Sequence, residues 1–181
     1  MKANKTWSFD FSHSRIGFSV KHFGITQTDG LFKKYSGKIR TDKDDFSDVQ
    51  VELSIETDSI ETNDAQRDAH LRSPDFFEVE KFPLMIFKST SIATVGKGMY
   101  KLSGDLTIKG LSKTISFDLE FAGIVPKDPF GNTKAGFILT GKINRKDWGI
   151  TWNAALDHGG VAVSDEVKIS CPIQLLMVPN E

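Results

Sequence analysis

Val49, Val51, Leu53 and Ile55 alternate with Gln50, Glu52, Ser54 and Glu56. A period of two belongs to an extended strand with one apolar and one polar face, and a helix cannot satisfy it. The pattern recurs along the chain. Ile16, Phe18, Val20 and His22 repeat it, as do Tyr100, Leu102, Gly104, Leu106 and Ile108. Further sets are Ile115–Phe121, Phe137–Ile143 and Val167–Met177. Weaker strands fit Thr6–Phe11, Leu31–Arg40 and Leu84–Ile92, giving about eight or nine one-sided strands.

Short turn signals join them. Gly96-Lys97-Gly98 and Lys109-Gly110-Leu111-Ser112 read as tight turns, and Pro126–Asn132 as a longer one. Sequential hairpins with one apolar face form a meander. Closing about eight such strands gives a barrel just wide enough for a slender ligand. Periodicity alone leaves an open β-sandwich as the alternative. With no repeat, low-complexity segment or linker, residues 1–181 read as a single domain. Gly104 and Gly141 occupy apolar-face positions, where they mark either a bend or close approach of backbone, or room left in a lumen.

One segment breaks the alternation. Thr62–Phe77 is polar at first and then aromatic, with Arg67, Asp68 and His70 close together. Ser73-Pro74 reads as the N-cap and first position of a second short helix, followed by Phe76 and Phe77. The expectation is a helical excursion over Asp64–Val79 packed on the barrel as a lid, with both phenylalanines turned inward.

Charge removes some function classes. Lys plus Arg number 23 and Asp plus Glu 24, for a net charge of −1, with no basic stripe of the kind nucleic acid requires. No apolar run reaches the roughly 20 residues of a membrane-spanning helix. Cys171 is the one cysteine and excludes an internal disulfide. Met1–Trp7 contains no apolar stretch of signal-peptide type, so the chain reads as cytoplasmic as written, or periplasmic as a mature exported form.

Catalytic and metal motifs are sparse. The four histidines, His13, His22, His70 and His158, have no zinc-ligand spacing. There is no nucleophile elbow and no phosphate-binding glycine loop. Asp42, Asp44, Asp45 and Asp48 read as a solvated turn, because the calcium-loop spacing and its closing Glu are missing. His70 with Asp68 and Arg67 could form an acid–base group. The alternative is that Arg67 and Asp68 bind strand ends and pin the lid. His22 reads as a rim residue. Trp148 plugs one barrel end, or else it or Trp152 contacts a ligand chain.

Taken together, several stretches resemble the YceI family of lipocalin-like, isoprenoid-binding barrels. They are Trp7-Ser-Phe-Asp10, Ser14–His22, Gly30-Leu-Phe32, Ser59–Thr62, Arg67–Leu71, Ser73–Phe77, Phe82-Pro83, Ile86–Ser89, Gly104–Gly110 and Asn144–Gly149. Each is weak alone, but in order they span nearly the whole chain. The resemblance implies an all-β, eight-stranded antiparallel barrel with a short helical insertion. It also implies a long-chain amphiphile as ligand: a polyprenyl lipid, an isoprenoid quinone or a fatty-acid derivative. Many family members carry an export signal, and Met1–Trp7 does not show one.

The leading expectation is therefore a non-catalytic protein that sequesters or carries such an amphiphile and requires no cofactor or metal. Its ligand-binding residues are expected to be Phe18, Val20, Phe32, Phe76, Phe77, Leu102, Leu106, Phe117, Phe121, Phe137, Leu139, Trp148 and Trp152, with Ile169 and Cys171 also facing the interior. Partners are expected to be the amphiphile and at most a second copy of the chain in a homodimer. The alternatives are an enzyme on a lipid-like substrate using His70 with Asp68, or His22, and a stress or interaction protein with a filled, ligand-free barrel.

Overall fold

The computed structural model describes residues 5–179. Residues 1–4, which open the stretch read for an export signal, and residues 180–181 lie outside the described residues. The strands are β1 (Lys5–Phe9), β2 (Ile16–His22), β3 (Thr26–Phe32), β4 (Tyr35–Thr41), β5 (Gln50–Glu56), β6 (Ile60–Glu61), β7 (Leu84–Gly96), β8 (Met99–Ile108), β9 (Leu111–Val125), β10 (Lys134–Asn144) and β11 (Glu166–Met177). Among the described residues the one α-helix, α1, spans Ala65–Arg72.

The eleven segments make an eight-stave closed antiparallel barrel. β1 and β2 are one stave interrupted at Phe11–His13, since β11 pairs with β2 through Lys168–Ser170 and with β1 through Leu175–Met177. β4 and β3 likewise pair with β1 and β2, and β5 and β6 pair with β4 and β3. The stretch Leu31–Arg40 is therefore one stave, but Lys33 and Lys34 break it into two strands. Thr26–Gly30 extends it beyond the residues expected, because only weakly apolar residues mark that arm.

The first interruption is fastened to β11. Asp10 N–H donates to the Gln174 carbonyl at 2.8 Å, and Arg15 N–H donates to the Pro172 carbonyl at 2.9 Å. The Asp10 carboxylate accepts from Ser12 Oγ at 2.9 Å and from Gln174 Nε2 at 2.8 Å. A two-residue turn, Lys109-Gly110, joins β8 to β9 with φ of 51° and 74°, the positive-φ pair of a type I′ hairpin.

Glu52, Glu56, Asp118 and Glu120 are exposed on the outer face. The inner face closes at one end around Phe46, which is 0% exposed. Phe46 meets Trp7 at 5.1 Å, Phe121 at 5.2 Å and Phe137 at 4.8 Å, so one ring bridges β1, β9 and β10. The turn around Asp42–Asp48 is thus more than the solvated loop its carboxylates suggest. Its acids face water or bind backbone, and its one phenylalanine is the floor of the barrel. Asp48 Oδ2 accepts from Asp42 N–H at 3.1 Å, and the Tyr100 hydroxyl donates to the Asp45 carbonyl.

Helix α1 begins at an N-cap, Asp64, whose side chain accepts from Arg67 N–H at 3.0 Å. It ends at Ser73. The second helix expected at Ser73-Pro74 does not form. Ser73 Oγ donates back to the His70 carbonyl at 2.6 Å and caps α1, and residues 74–77 are turn. Extended backbone at Ser73 suits a residue before proline, but here it terminates a helix instead of starting one.

Candidate functional site

The barrel encloses a cavity of about 590 Å³, lined almost wholly by apolar side chains. Phe18, Val20, Phe32, Phe76, Phe77, Leu102, Leu106, Phe117, Phe137, Leu139, Trp152, Ile169 and Cys171 all line it. Two expected lining residues do not. Phe121 stacks on Phe137 at 5.2 Å and 27° and contacts Phe46, so it belongs to the floor. Phe121 keeps the inward parity of Phe117 and Leu119, since its pairing with Phe137 is regular and the bulge lies beyond it. Trp148 is 1% exposed and donates its indole N–H to the Leu106 carbonyl at 2.9 Å, which makes it a structural plug.

Phenylalanine rings lie flat against the wall over glycines. A Cβ at Gly30 would stand 2.3 Å from Phe18 Cζ, and one at Gly104 2.7 Å from Phe87 and 2.4 Å from the Lys88 carbonyl. Gly104 and Gly141 are thus sites of close approach. Their missing side chains make room for rings that would otherwise project further into the lumen. Met85 and Phe87 were not expected to line the cavity. In β7 both parities are apolar, so alternation does not say which faces inward. Leu84 and Ile86 are the exposed set.

Polar lining groups gather at the end opposite Phe46. There β2, β6 and β10 end and β3 and β11 begin. They are His22, Thr28, Thr62, Arg67, His70 and Arg145. Helix α1 crosses this end and is pinned by its own charged residues. Asp68, 6% exposed, accepts from Thr62 N–H at 2.9 Å and from Thr62 Oγ1 at 2.5 Å. Arg67 donates to Thr62 Oγ1 at 2.7 Å and to the Thr62 carbonyl at 2.6 Å. Arg72 donates to the carbonyls of Asp58 at 2.8 Å and Ile60 at 3.0 Å. This is the strand-end clamp anticipated for Arg67 and Asp68.

His70 faces the cavity, but its carboxylate partner is Asp75, at 2.9 Å, and not Asp68. Its ring meets Trp152 edge-on at 4.7 Å and Phe76 at 5.1 Å. Phe76 is buried and Phe77 half-buried, with Phe77 edge-on to Phe32 at 5.6 Å.

Arg145, expected only as part of a barrel-closing corner, is 5% exposed and reaches the cavity wall. It donates to the carbonyls of Ser164, Ile150 and Trp152, each at 2.9 Å, and so shapes the long connection between β10 and β11. Burial pulls its pKa down from the ordinary arginine value, against the opposing field of Asp165. Burial also pushes the Cys171 thiol up to about 11. Among the described residues no three His, Cys, Asp or Glu side chains come together as a metal site, and no helix is long and apolar enough to cross a membrane.

The class the fold defines is a closed antiparallel barrel with an apolar lumen, a floor packed around Phe46 and its polar lining groups at the other end. The YceI-like domain model matches residues 7–175, and the chain belongs to that family. A UPF0312 protein of Staphylococcus aureus (strain N315) is 36% identical over 90% of this chain and 92% of its own length. Among solved structures, the YceI protein of Campylobacter jejuni is 32% identical with a TM-score of 0.74, covering 89% of this chain and 90% of that one. BcnA of Burkholderia cenocepacia shares the fold at 23% identity and a TM-score of 0.79, over 92% of this chain and 98% of that one. A polyisoprenoid binding domain from Saccharophagus degradans shares it at 15% identity and a TM-score of 0.70, over 95% and 98%.

Proposed function

We propose that this chain is a non-catalytic binding protein that holds one long-chain amphiphile, of isoprenoid or fatty type, with its tail in the barrel and its head at the α1 end. An isoprenoid quinone would be held in the same way. The observation that carries this reading is the enclosed apolar cavity of about 590 Å³ with polar lining groups at one end only. A buried tail gains about 0.8 kcal/mol per CH₂. A tail of several isoprene units therefore offsets the cost of association, about 4–15 kcal/mol, with little help from its head. Family membership and the polyisoprenoid-binding description of the Saccharophagus neighbour support the same class.

On the cavity wall, the His70–Asp75 pair is the arrangement that favours a catalytic reading, since the Asp10–Ser12–His13 cluster does not line the cavity. Among the described residues no hydroxyl or thiol is hydrogen-bonded to its imidazole or its carboxylate, and the nearby Ser73 hydroxyl binds only backbone of the two residues, which supports binding over chemistry. Mass spectrometry of organic extracts of the purified protein tests the proposal. A co-purifying long-chain lipid, or saturable uptake of polyprenyl and quinone probes, is expected. Repeated absence of both would overturn the proposal.

A further inference from the structure

The lumen ends in side chains of one electrostatic kind. The Cys171 thiol aside, the ionisable side chains on its wall are Arg67, Arg145, His22 and His70, with no Asp, Glu or Lys among them. The balancing carboxylates stand outside. Asp64 lies 3.8 Å from Arg67 and Asp165 3.7 Å from Arg145, and their side chains are 49% and 42% exposed. Both separations exceed a direct hydrogen bond, and water screens both pairs. Asp75 sits on His70 with its side chain 51% exposed. Asp68 is buried and offsets Arg67 in part, but its bonds are to Thr62 and it is absent from the wall.

Arg145 is the decisive residue. Its side chain is 6% exposed, and its close partners are backbone carbonyls, which orient the guanidinium without neutralising it. A buried cation without a buried counter-charge is costly. An anion arriving at the mouth would relieve that cost, and an ammonium would add to it. Arg67 Nη1 makes no hydrogen bond among the described residues and remains as a donor.

We infer that the mouth selects amphiphiles by head-group charge, accepting an oxyanion head, carboxylate or phosphate, at Arg67 within the positive field of Arg145, whose own N–H groups go to backbone, Val163 included, and disfavouring an amine. This rests on the proposed function, since the tail must already occupy the barrel. It adds a second selection to the fit of the tail. The lumen sorts by length and width, and the mouth sorts by charge.

The test uses probes with one shared tail: geranylgeranoic acid, geranylgeranyl phosphate, geranylgeraniol and geranylgeranylamine, each titrated into delipidated full-length protein at neutral pH. The acid or the phosphate is expected to bind about tenfold tighter than the alcohol, a difference of about 1.4 kcal/mol, with the amine weakest. The acid and phosphate arms distinguish a fatty-type head from a prenyl phosphate. Arg67→Met, which also removes the clamp on Thr62, should reduce the ratio of anion to alcohol affinity severalfold, and that ratio is the readout because loss of the clamp alone would weaken both probes alike. Arg145→Lys, which keeps the charge and loses the carbonyl contacts, should retain that preference where it folds. Equal affinity for acid, alcohol and amine would overturn the head-group inference and leave the lipid-binding reading standing. Failure of all the probes to bind would overturn both.

Discussion

The ring of Phe117 lies over Gly141 on the neighbouring strand, and a Cβ built on that glycine would stand 2.6 Å from Phe117 Cδ1. The pair sets the bore of the cavity, because the ring can lie flat only where its neighbour has no side chain. Gly141→Leu is expected to tilt the ring into the lumen. It should cost about 1–3 kcal/mol of stability and penalise long tails more than short ones. Gly104→Ala should be worse than Gly141→Ala. A methyl at 104 meets the Lys88 carbonyl at 2.4 Å as well as the Phe87 ring, and backbone cannot swing aside. Urea denaturation of the two alanine variants gives the order directly. Equal stabilities would show that the sheet relaxes at both positions.

The two aromatics after the helix should separate by burial. Phe76 is 7% exposed, packs on His70 and Trp152, and should cost about 3 kcal/mol when truncated to Ala. Phe77→Ala is expected to cost less, since Phe77 is only half-buried. The double variant should open the mouth and shorten ligand residence. Unchanged stability with unchanged ligand retention would place the pair at the periphery.

Trp148 and Trp152 should behave in opposite ways. Trp148→Phe removes the indole bond to the Leu106 carbonyl and leaves a gap beside a buried ring, costing about 1 kcal/mol with little change in ligand affinity. Trp152→Ala, on the cavity wall, should weaken binding more than it weakens the fold. Paired denaturation and titration of both variants is the check. A loss of affinity in the Trp148 variant alone would reverse the assignment.

Acid should release the first stave from β11. Burial pushes the Asp10 carboxyl up, but hydrogen bonds from Ser12, Gln174 and His13 outweigh it and hold the pKa at about 2. A carboxyl depressed from its ordinary value near 4 contributes stability at neutral pH, and that contribution is lost as pH falls from about 4 to about 2. Asp10→Asn is expected to cost about 2 kcal/mol at neutral pH and almost nothing at about pH 2. A cost independent of pH would point to packing and not to the charge.

Much of this fold is legible in alternation. β2, β5, β8, β10 and β11 declare their inner faces because each carries polar residues on the other side. β3 hides its outer arm, since Thr26–Gly30 offers no apolar face. The floor is invisible for a different reason. Phe46 sits alone among aspartates with φ of 59°, so no periodic pattern announces that it turns inward. The site was half legible. Strand register identified the lumen, and the polar stretch Thr62–Leu71 marked the mouth. The role of Arg145 depends on contacts with Ile150, Trp152 and Ser164, which follow no local spacing. Phe121 has the inward parity but stands at the floor against Phe46, and Trp148 sits in a corner outside any strand, so alternation says nothing of its direction.

A lipid tail that threads the barrel from mouth to floor is the central expectation. A long-chain acid brominated at its terminal carbon, crystallised with the protein, reports the tail's position through anomalous scattering. One bromine peak is expected inside the barrel, near Val49, Phe137 and Leu175 at the floor end, with the head beside Arg67 and Arg145. Bromine confined to the outer surface, or an empty lumen at saturating ligand, would contradict a threaded tail.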